Sequence, residues 1–168
     1  MTLAELNALS AHDAAEAFLA CCGSTRWAHA MEARRPFGDA HDVTATADEV
    51  WFGLDAEDWL EAFRAHPRIG ERKAAPAQGA QATSWSAQEQ SGAAGAGEDV
   101  ATALAEGNAA YEARFGHIYI VCATGKTAEE MLAILRERLA HDPATELRAA
   151  AGEQARITRL RVEKLLAG

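Results

Sequence analysis

Two residues of this chain have the chemistry of a proton-transfer pair. His66 stands in Ala65-His66-Pro67-Arg68-Ile69-Gly70-Glu71, and Glu89 stands in Ser84-Trp85-Ser86-Ala87-Gln88-Glu89-Gln90. An imidazole exchanges protons near neutral pH, and a carboxylate accepts or orients one. Pro67 disfavours helical geometry at the residue before it, which places His66 where a helix ends. That helix is the amphipathic stretch 55–65. Glu89 follows Ser86 at the spacing of a capping box, which places it in the first turn of the next helix. There the macrodipole would hold it ionised. A loop of Gly, Ala, Pro and Gln, residues 70–83, joins the two.

Each residue also has a plainer reading. A histidine after an amphipathic helix is favoured there by the macrodipole alone. Ser86-x-x-Glu89 is matched by Thr2-x-x-Glu5 and Thr127-x-x-Glu130, so capping by itself would explain it. Arg161 is the least expected residue. It lies one turn after Ile157 and one turn before Leu165, on an apolar face. A snorkelling side chain at the edge of that face is the plain reading. A guanidinium aimed into a pocket to clamp a carboxylate is the functional one. Arg156 and Arg159 point elsewhere, as solvated charges.

Other chemistries find less support. His12, His29, His41, His66, His117 and His141 are scattered, with no His-x-x-x-His or Cys-x-x-Cys spacing, so no metal is expected. No phosphate loop and no Gly-x-Ser-x-Gly elbow occurs. The adjacent Cys21 and Cys22 suit core packing.

The elements that must position these residues read as helix after helix. Helical spacing predicts residues 11–22 after a Ser10 cap, and a second helix from Ser24 or Thr25 through Met31. A third runs from Asp42 or Thr46 to Phe52, and a fourth over 55–65. Another opens at Ser84 or Ser86, followed by 99–115, 127–139 and 143–166. Thr127 with Glu130, and Asp142 before Pro143, mark the last two starts. Residues 91–97 read as a loop. The fold class is therefore all-α: a bundle of about eight helices in one domain over residues 1–168. Residues 117–124 break the pattern, being β-branched and aromatic between Gly116 and Gly125. No partner strand is evident, so their backbone groups need other partners: neighbouring loops, or a flat ligand rich in amide groups. A short buried connector is the plain alternative.

Composition bounds the rest. The chain has 168 residues, enough to bury a core. A net charge of −9 and a pI near 5.1 argue against nucleic acid and anionic membrane as partners. No apolar run approaches the ~20 residues that span a bilayer. The start lacks a basic region and an apolar signal core, and the end is not a peroxisomal address. Three cysteines, two of them adjacent, make no disulfide framework, so a reducing, cytoplasmic setting is expected.

The motifs together resemble the family of 2-oxo-4-hydroxy-4-carboxy-5-ureidoimidazoline (OHCU) decarboxylases. The resemblance rests on Cys22-Gly23-Ser24-x-x-Trp27, Arg35-Pro36-Phe37 and Glu61-Ala62-Phe63-x-x-His66-Pro67-Arg68-Ile69-Gly70-Glu71. It continues through Trp85-Ser86-x-x-Glu89-Gln90-x-Gly92, then Phe115-Gly116-x-Ile118-Tyr119-Ile120-Val121-Cys122-Ala123-x-Gly125-Lys126, and ends with Ile157-Thr158-x-Leu160-Arg161. It covers nearly the whole chain, in order. It implies an all-helical, cofactor-free, commonly dimeric enzyme acting on a small molecule. It implies His66 and Glu89 as catalytic residues, and Pro67, Ser86, Gln90, Ile118, Ile120 and Arg161 as substrate-binding ones. Ser84 is the alternative to Ser86, whose spacing to Glu89 is the better match. A helical interaction module using His66 and Glu89 only as caps is the rival from another class, and a metal-dependent helical hydrolase is the rival enzyme.

Overall fold

The computed structural model describes residues 1–71 and 79–167, and among these it is entirely helical apart from connecting segments. The helices are α1 (Leu3–Ala8), α2 (Ala11–Cys21), α3 (Thr25–Ala33), α4 (Ala40–Phe52), α5 (Ala56–Arg64), α6 (Ala80–Glu89), α7 (Glu98–Phe115), α8 (Ala128–Arg138) and α9 (Pro143–Leu166). A single 3-10 turn, Ser91–Ala93, follows α6. Side-chain caps start most of them. Ser10, Ser24, Asp39, Thr127 and Asp142 each accept a first-turn backbone N–H. Such a cap is worth about 1 kcal/mol.

Three boundaries differ from the sequence reading. The Thr2–Glu5 capping box does open a helix, α1, which brings the number of described α-helices to nine. α4 starts earlier, after Asp39. α6 starts at Ala80 with Gly79 as its cap, so residues 80–83 are helical and not loop; residues 72–78 of the expected loop lie outside the described residues. The last shift matters for the chemistry. Ser86 lies inside α6 and Glu89 is its final residue, so neither belongs to a first turn and the pair is no capping box.

The buried side chains form two clusters. The larger draws on α1 to α5 and α9, around Phe18, Trp27, Met31, Trp51 and Phe63. Its indoles find buried acceptors: Trp27 Nε1 donates to Ala47 O at 3.1 Å and Trp51 Nε1 to Ala151 O at 2.9 Å. The smaller sits between α7 and α8, around Leu104, Tyr111, Met131 and Leu135. α9 packs against α4, α2 and α5, and α7 packs against α8.

The extended segment separates the two clusters. Tyr119, Val121 and Ala123 belong to the α7–α8 cluster, while Ile118, Ile120 and Cys122 face the larger one. That alternation is the period-2 geometry of extended chain. No strand pairs with it among the described residues, and charged side chains meet part of its backbone instead. Arg138 donates to Ile120 O, Lys126 Nζ donates to Cys122 O at 2.7 Å, and Cys122 N–H donates to Glu153 Oε2 at 2.8 Å. Arg138 is itself held by Glu146, which is fully buried and also accepts from the Tyr111 hydroxyl. Burial pushes the Glu146 carboxyl up, but its bonds from Arg138, Tyr111 and His141 outweigh this, and the net shift is down.

Candidate functional site

His66 follows the last turn of α5, its N–H donating to Phe63 O at 3.1 Å. The close approach of α5 to the α2–α3 corner depends on Gly23, where a Cβ would lie 2.4 Å from that of Ala65. The His66 ring is partly buried, and its Nε2 lies 2.7 Å from Gln154 Oε1. Burial first, and the Arg161 charge second, depress the imidazole to about pKa 4; the Gln154 bond and the Glu89 charge oppose this. His66 is therefore neutral at physiological pH.

Glu89 is 8% exposed and Arg161 3% exposed. Arg161 reaches from α9 and grips the carboxylate bidentately with the Nε–Nη2 edge of its guanidinium. Nε donates to Oε1 and Nη2 to Oε2, each at 2.9 Å. Nη2 also donates to Ser86 Oγ at 3.0 Å. Lys164 Nζ stands 3.9 Å from Glu89 Oε1. Burial raises the Glu89 carboxyl, yet the Arg161 bonds and charge, with His66 and Lys164, bring it net below the ordinary range. Its ionised state thus comes from Arg161 and not from a helix N-terminus. Arg161 is no snorkelling residue either, and its bidentate fork is already occupied by a protein carboxylate.

The remaining residues singled out from the sequence fall around this pair. A small cavity of about 20 Å³ is walled by His66, Pro67, Ile69, Ser86, Glu89, Gln90, Tyr119, Ile120, Val121, Ala123 and Ile157. It lies on the seam between the two clusters, with the extended segment as one wall. A larger cavity of about 680 Å³ shares Pro67, Ile69, Ser86 and Gln90 with it. Six of the expected site residues line the small cavity: His66, Pro67, Ser86, Glu89, Gln90 and Ile120. Arg161 stands behind Ser86 and Glu89, and Ile118 packs on the larger cluster without lining the cavity. Ser84 is exposed, whereas Ser86 is buried, accepts from Arg161 and lines the cavity. Gln90 braces the turn after His66: its Oε1 accepts from Gly70 N–H at 3.0 Å, where Gly70 has φ 87°. That left-handed backbone suits glycine.

Several contributors were not visible in the sequence. Gln154, fully buried, sits on the His66 ring. Its signal was a polar stripe on an apolar helix face: Gln154, Thr158 and Arg161 recur at helical spacing. Asn108 donates to Ile69 O at 3.0 Å and Arg138 to Ile120 O, bracing two walls, and neither had a readable signal. The cysteines are free and buried, and burial pushes the Cys21 and Cys22 thiols up to about 12, so neither is a nucleophile at neutral pH. Among the described residues no three His, Cys, Asp or Glu side chains gather to hold a metal ion.

Known proteins resemble the chain along nearly all of its length. The family described as OHCU decarboxylase matches residues 7–163. The uric acid degradation bifunctional protein TTL of Arabidopsis thaliana is 42% identical over 147 residues, which are 86% of this chain and 45% of that protein; the chain thus spans about half of that relative. The 2-oxo-4-hydroxy-4-carboxy-5-ureidoimidazoline decarboxylase of Amia calva is 31% identical over 170 residues, 99% of this chain and 95% of that protein. A crystal structure of OHCU decarboxylase in the presence of (S)-allantoin superposes with a TM-score of 0.78 at 38% identity, covering 90% of this chain and 97% of that one.

Proposed function

The chain belongs to the OHCU decarboxylase family, and from that premise we propose that it removes CO2 from OHCU to give (S)-allantoin. The observation that carries this reading is the convergence of a neutral His66 and an ionised, Arg161-held Glu89 on one cavity, from sequence positions far apart. The reaction needs those two states. The substrate carbon carries a hydroxyl and a carboxylate beside a C=N bond. When the C–CO2 bond breaks, its electron pair forms a carbon–carbon double bond and the C=N electrons pass to nitrogen, which takes a proton. The enol hydroxyl then loses its proton, and the neighbouring carbon gains one. The substrate is its own electron sink, so the reading requires no cofactor and no metal.

The protein's part is to orient the substrate and move protons. A neutral imidazole can take the hydroxyl proton, and its conjugate acid can return one to a single face of the neighbouring carbon. An ionised Glu89, immobile on Arg161, can orient the hydroxyl or the ureido N–H groups. The apolar wall of Ile120, Val121 and Ile157 suits the loss of a charged carboxylate as neutral CO2. Glu89 and Ser86 take hydrogen bonds from Nε and Nη2 of Arg161, so a direct contact with substrate would fall to Nη1, beside the positive field the guanidinium supplies. The larger adjoining cavity has room for the body of the substrate, which the small one lacks.

The reading extends to the whole of residues 1–168 as one decarboxylase unit, working as a homodimer in the cytoplasm. No helix among the described residues is long and apolar enough to cross a membrane. The deciding experiment mixes the protein with freshly generated OHCU and follows ultraviolet loss together with circular dichroism of the product. Accelerated decay yielding (S)-allantoin, undiminished by EDTA, is expected. Decay at the spontaneous rate, with racemic product, would overturn the reading.

A further inference from the structure

We propose that Gln154 is a positioning residue that sets the tautomer of His66: its Oε1 accepts the Nε2–H, leaving Nδ1 as the nitrogen that takes and returns the substrate's proton. The inference deepens the decarboxylase reading and rests on it for the identity of that proton.

A neutral imidazole has one N–H and one lone pair, and its neighbours decide which nitrogen carries which. Gln154 is fully enclosed, and its Oε1 is 2.7 Å from Nε2. Two lone pairs facing each other at that distance would repel, so a carbonyl oxygen there demands a proton on Nε2. The amide oxygen faces the ring, and the amide nitrogen has a partner of its own. Gln154 Nε2 donates to Thr158 Oγ1 at 3.2 Å, one turn further along α9. The amide is thus held from behind, inside a rigid helix. Gln154 does not wall the small cavity, so Nε2 is turned to a structural partner.

The neutrality of this partner is informative. A carboxylate at the same position would also select the Nε2–H tautomer, but it would favour the imidazolium. An amide selects the tautomer without adding charge, which keeps a proton-accepting nitrogen available. Seven residues on, the same face of α9 presents Arg161, which fixes Glu89. One helix therefore orders both members of the acid/base pair, from Gln154 and Arg161, which lie about 10 Å apart along its axis.

The test begins with 15N–1H correlation spectra of histidine-labelled protein, which report the His66 tautomer directly. The Nε2–H form is expected in the wild type, and an Nδ1–H form would overturn the proposal. Gln154→Leu should abolish that preference and lower kcat by roughly 10–100-fold with KM little changed, the scale seen when the orienting partner of a metal-bound histidine is removed. Gln154→Glu should keep the tautomer and move the acidic limb of kcat/KM upward by about one pH unit or more. This second variant, with the wild-type spectrum, decides the matter should the leucine variant misfold. A folded leucine variant with wild-type kcat, or a glutamate variant with an unmoved pH profile, would overturn it. If the wild type fails to accelerate OHCU decay, the decarboxylase reading falls, while the spectrum still decides the tautomer.

Discussion

Replacing Arg161 with leucine should unmask how the site keeps a carboxylate charged inside the protein. Glu89 is 8% exposed and receives a hydrogen bond from Arg161 on each oxygen. Without the guanidinium a buried charge is left with Lys164 alone, 3.9 Å away and partly solvated. Breaking a buried pair from one side costs about 3–5 kcal/mol, and Lys164 argues for the lower end. In a chain of 168 residues a loss of about 3 kcal/mol lowers Tm by about 6–12 °C. The loss has a pH signature. In the wild type the Glu89 pKa is depressed, so its stabilisation is present above the ordinary carboxylate value and lost as pH falls through the folded value. In Arg161→Leu burial is opposed mainly by Lys164, and the folded pKa rises above the unfolded one. That variant is penalised at neutral pH and recovers as pH falls through the raised value. Removal of the cation also lets His66 take a proton more easily, which acts in the same direction. Urea unfolding followed by helicity, from about pH 7 to about pH 5, should therefore show the gap between the two proteins closing. The double variant Glu89→Gln/Arg161→Leu should lose less than the two single variants added together. A deficit below about 1 kcal/mol at neutral pH, as for a surface pair, or a gap that stays constant with pH, would refute the argument.

Three further outcomes are expected. His66→Asn should remove the acceleration of OHCU decay and return a racemic product, with helicity and melting nearly unchanged; (S)-allantoin at wild-type speed would reassign the base to Glu89 acting through water. The kcat/KM of the wild type should fall on the acidic side near pH 4, where His66 gains its proton, and run flat through the ordinary histidine range; an inflection between about 6 and 7 would show that burial and Arg161 do not hold the ring neutral. Gly92→Ala would place a Cβ 2.1 Å from Lys126 O, a backbone atom that cannot rotate away. It should destabilise the fold by about 1–3 kcal/mol, read by thermal melting, and a wild-type Tm would count against that packing.

The sequence was most legible where a single element carries the information. The amphipathic helix ending before His66-Pro67, the capping of α8 and α9, and the placement of Arg161 on the apolar face of α9 all follow from spacing within one helix. Contacts between distant segments were not legible. Gln154 reaches His66 across 88 residues, and Arg138 reaches Ile120 across 18; the polar stripe on α9 marks the face of Gln154 but not its partner, and nothing local marks Arg138. The start of α6 was hidden for a different reason. Its true cap, Gly79, has no side chain to mark it, while Ser86 and Glu89 imitate a capping box in the interior. Composition also marked 117–124 as extended, through its β-branched and aromatic residues between Gly116 and Gly125, but could not show its use. Its odd and even residues serve two different clusters, and Arg138, Lys126 and Glu153 bond part of its backbone in place of a partner strand.

The misplacement of Glu89 changes the physical account of the site. At a helix N-terminus the macrodipole would have stabilised the carboxylate without help. At the C-terminus of α6 the dipole opposes it, and burial opposes it further. The ionised state must then be imposed from another element, and Arg161 on α9 imposes it. The same guanidinium is the second cause, after burial, of the lowered His66 pKa. One buried cation therefore drives both groups the same way, holding Glu89 charged and His66 uncharged. Without it both proton affinities rise together, Glu89 toward its acid form and His66 toward imidazolium, and the pair loses both states that the proposed chemistry uses. In the proposed mechanism Arg161 therefore acts through the protonation states of its neighbours.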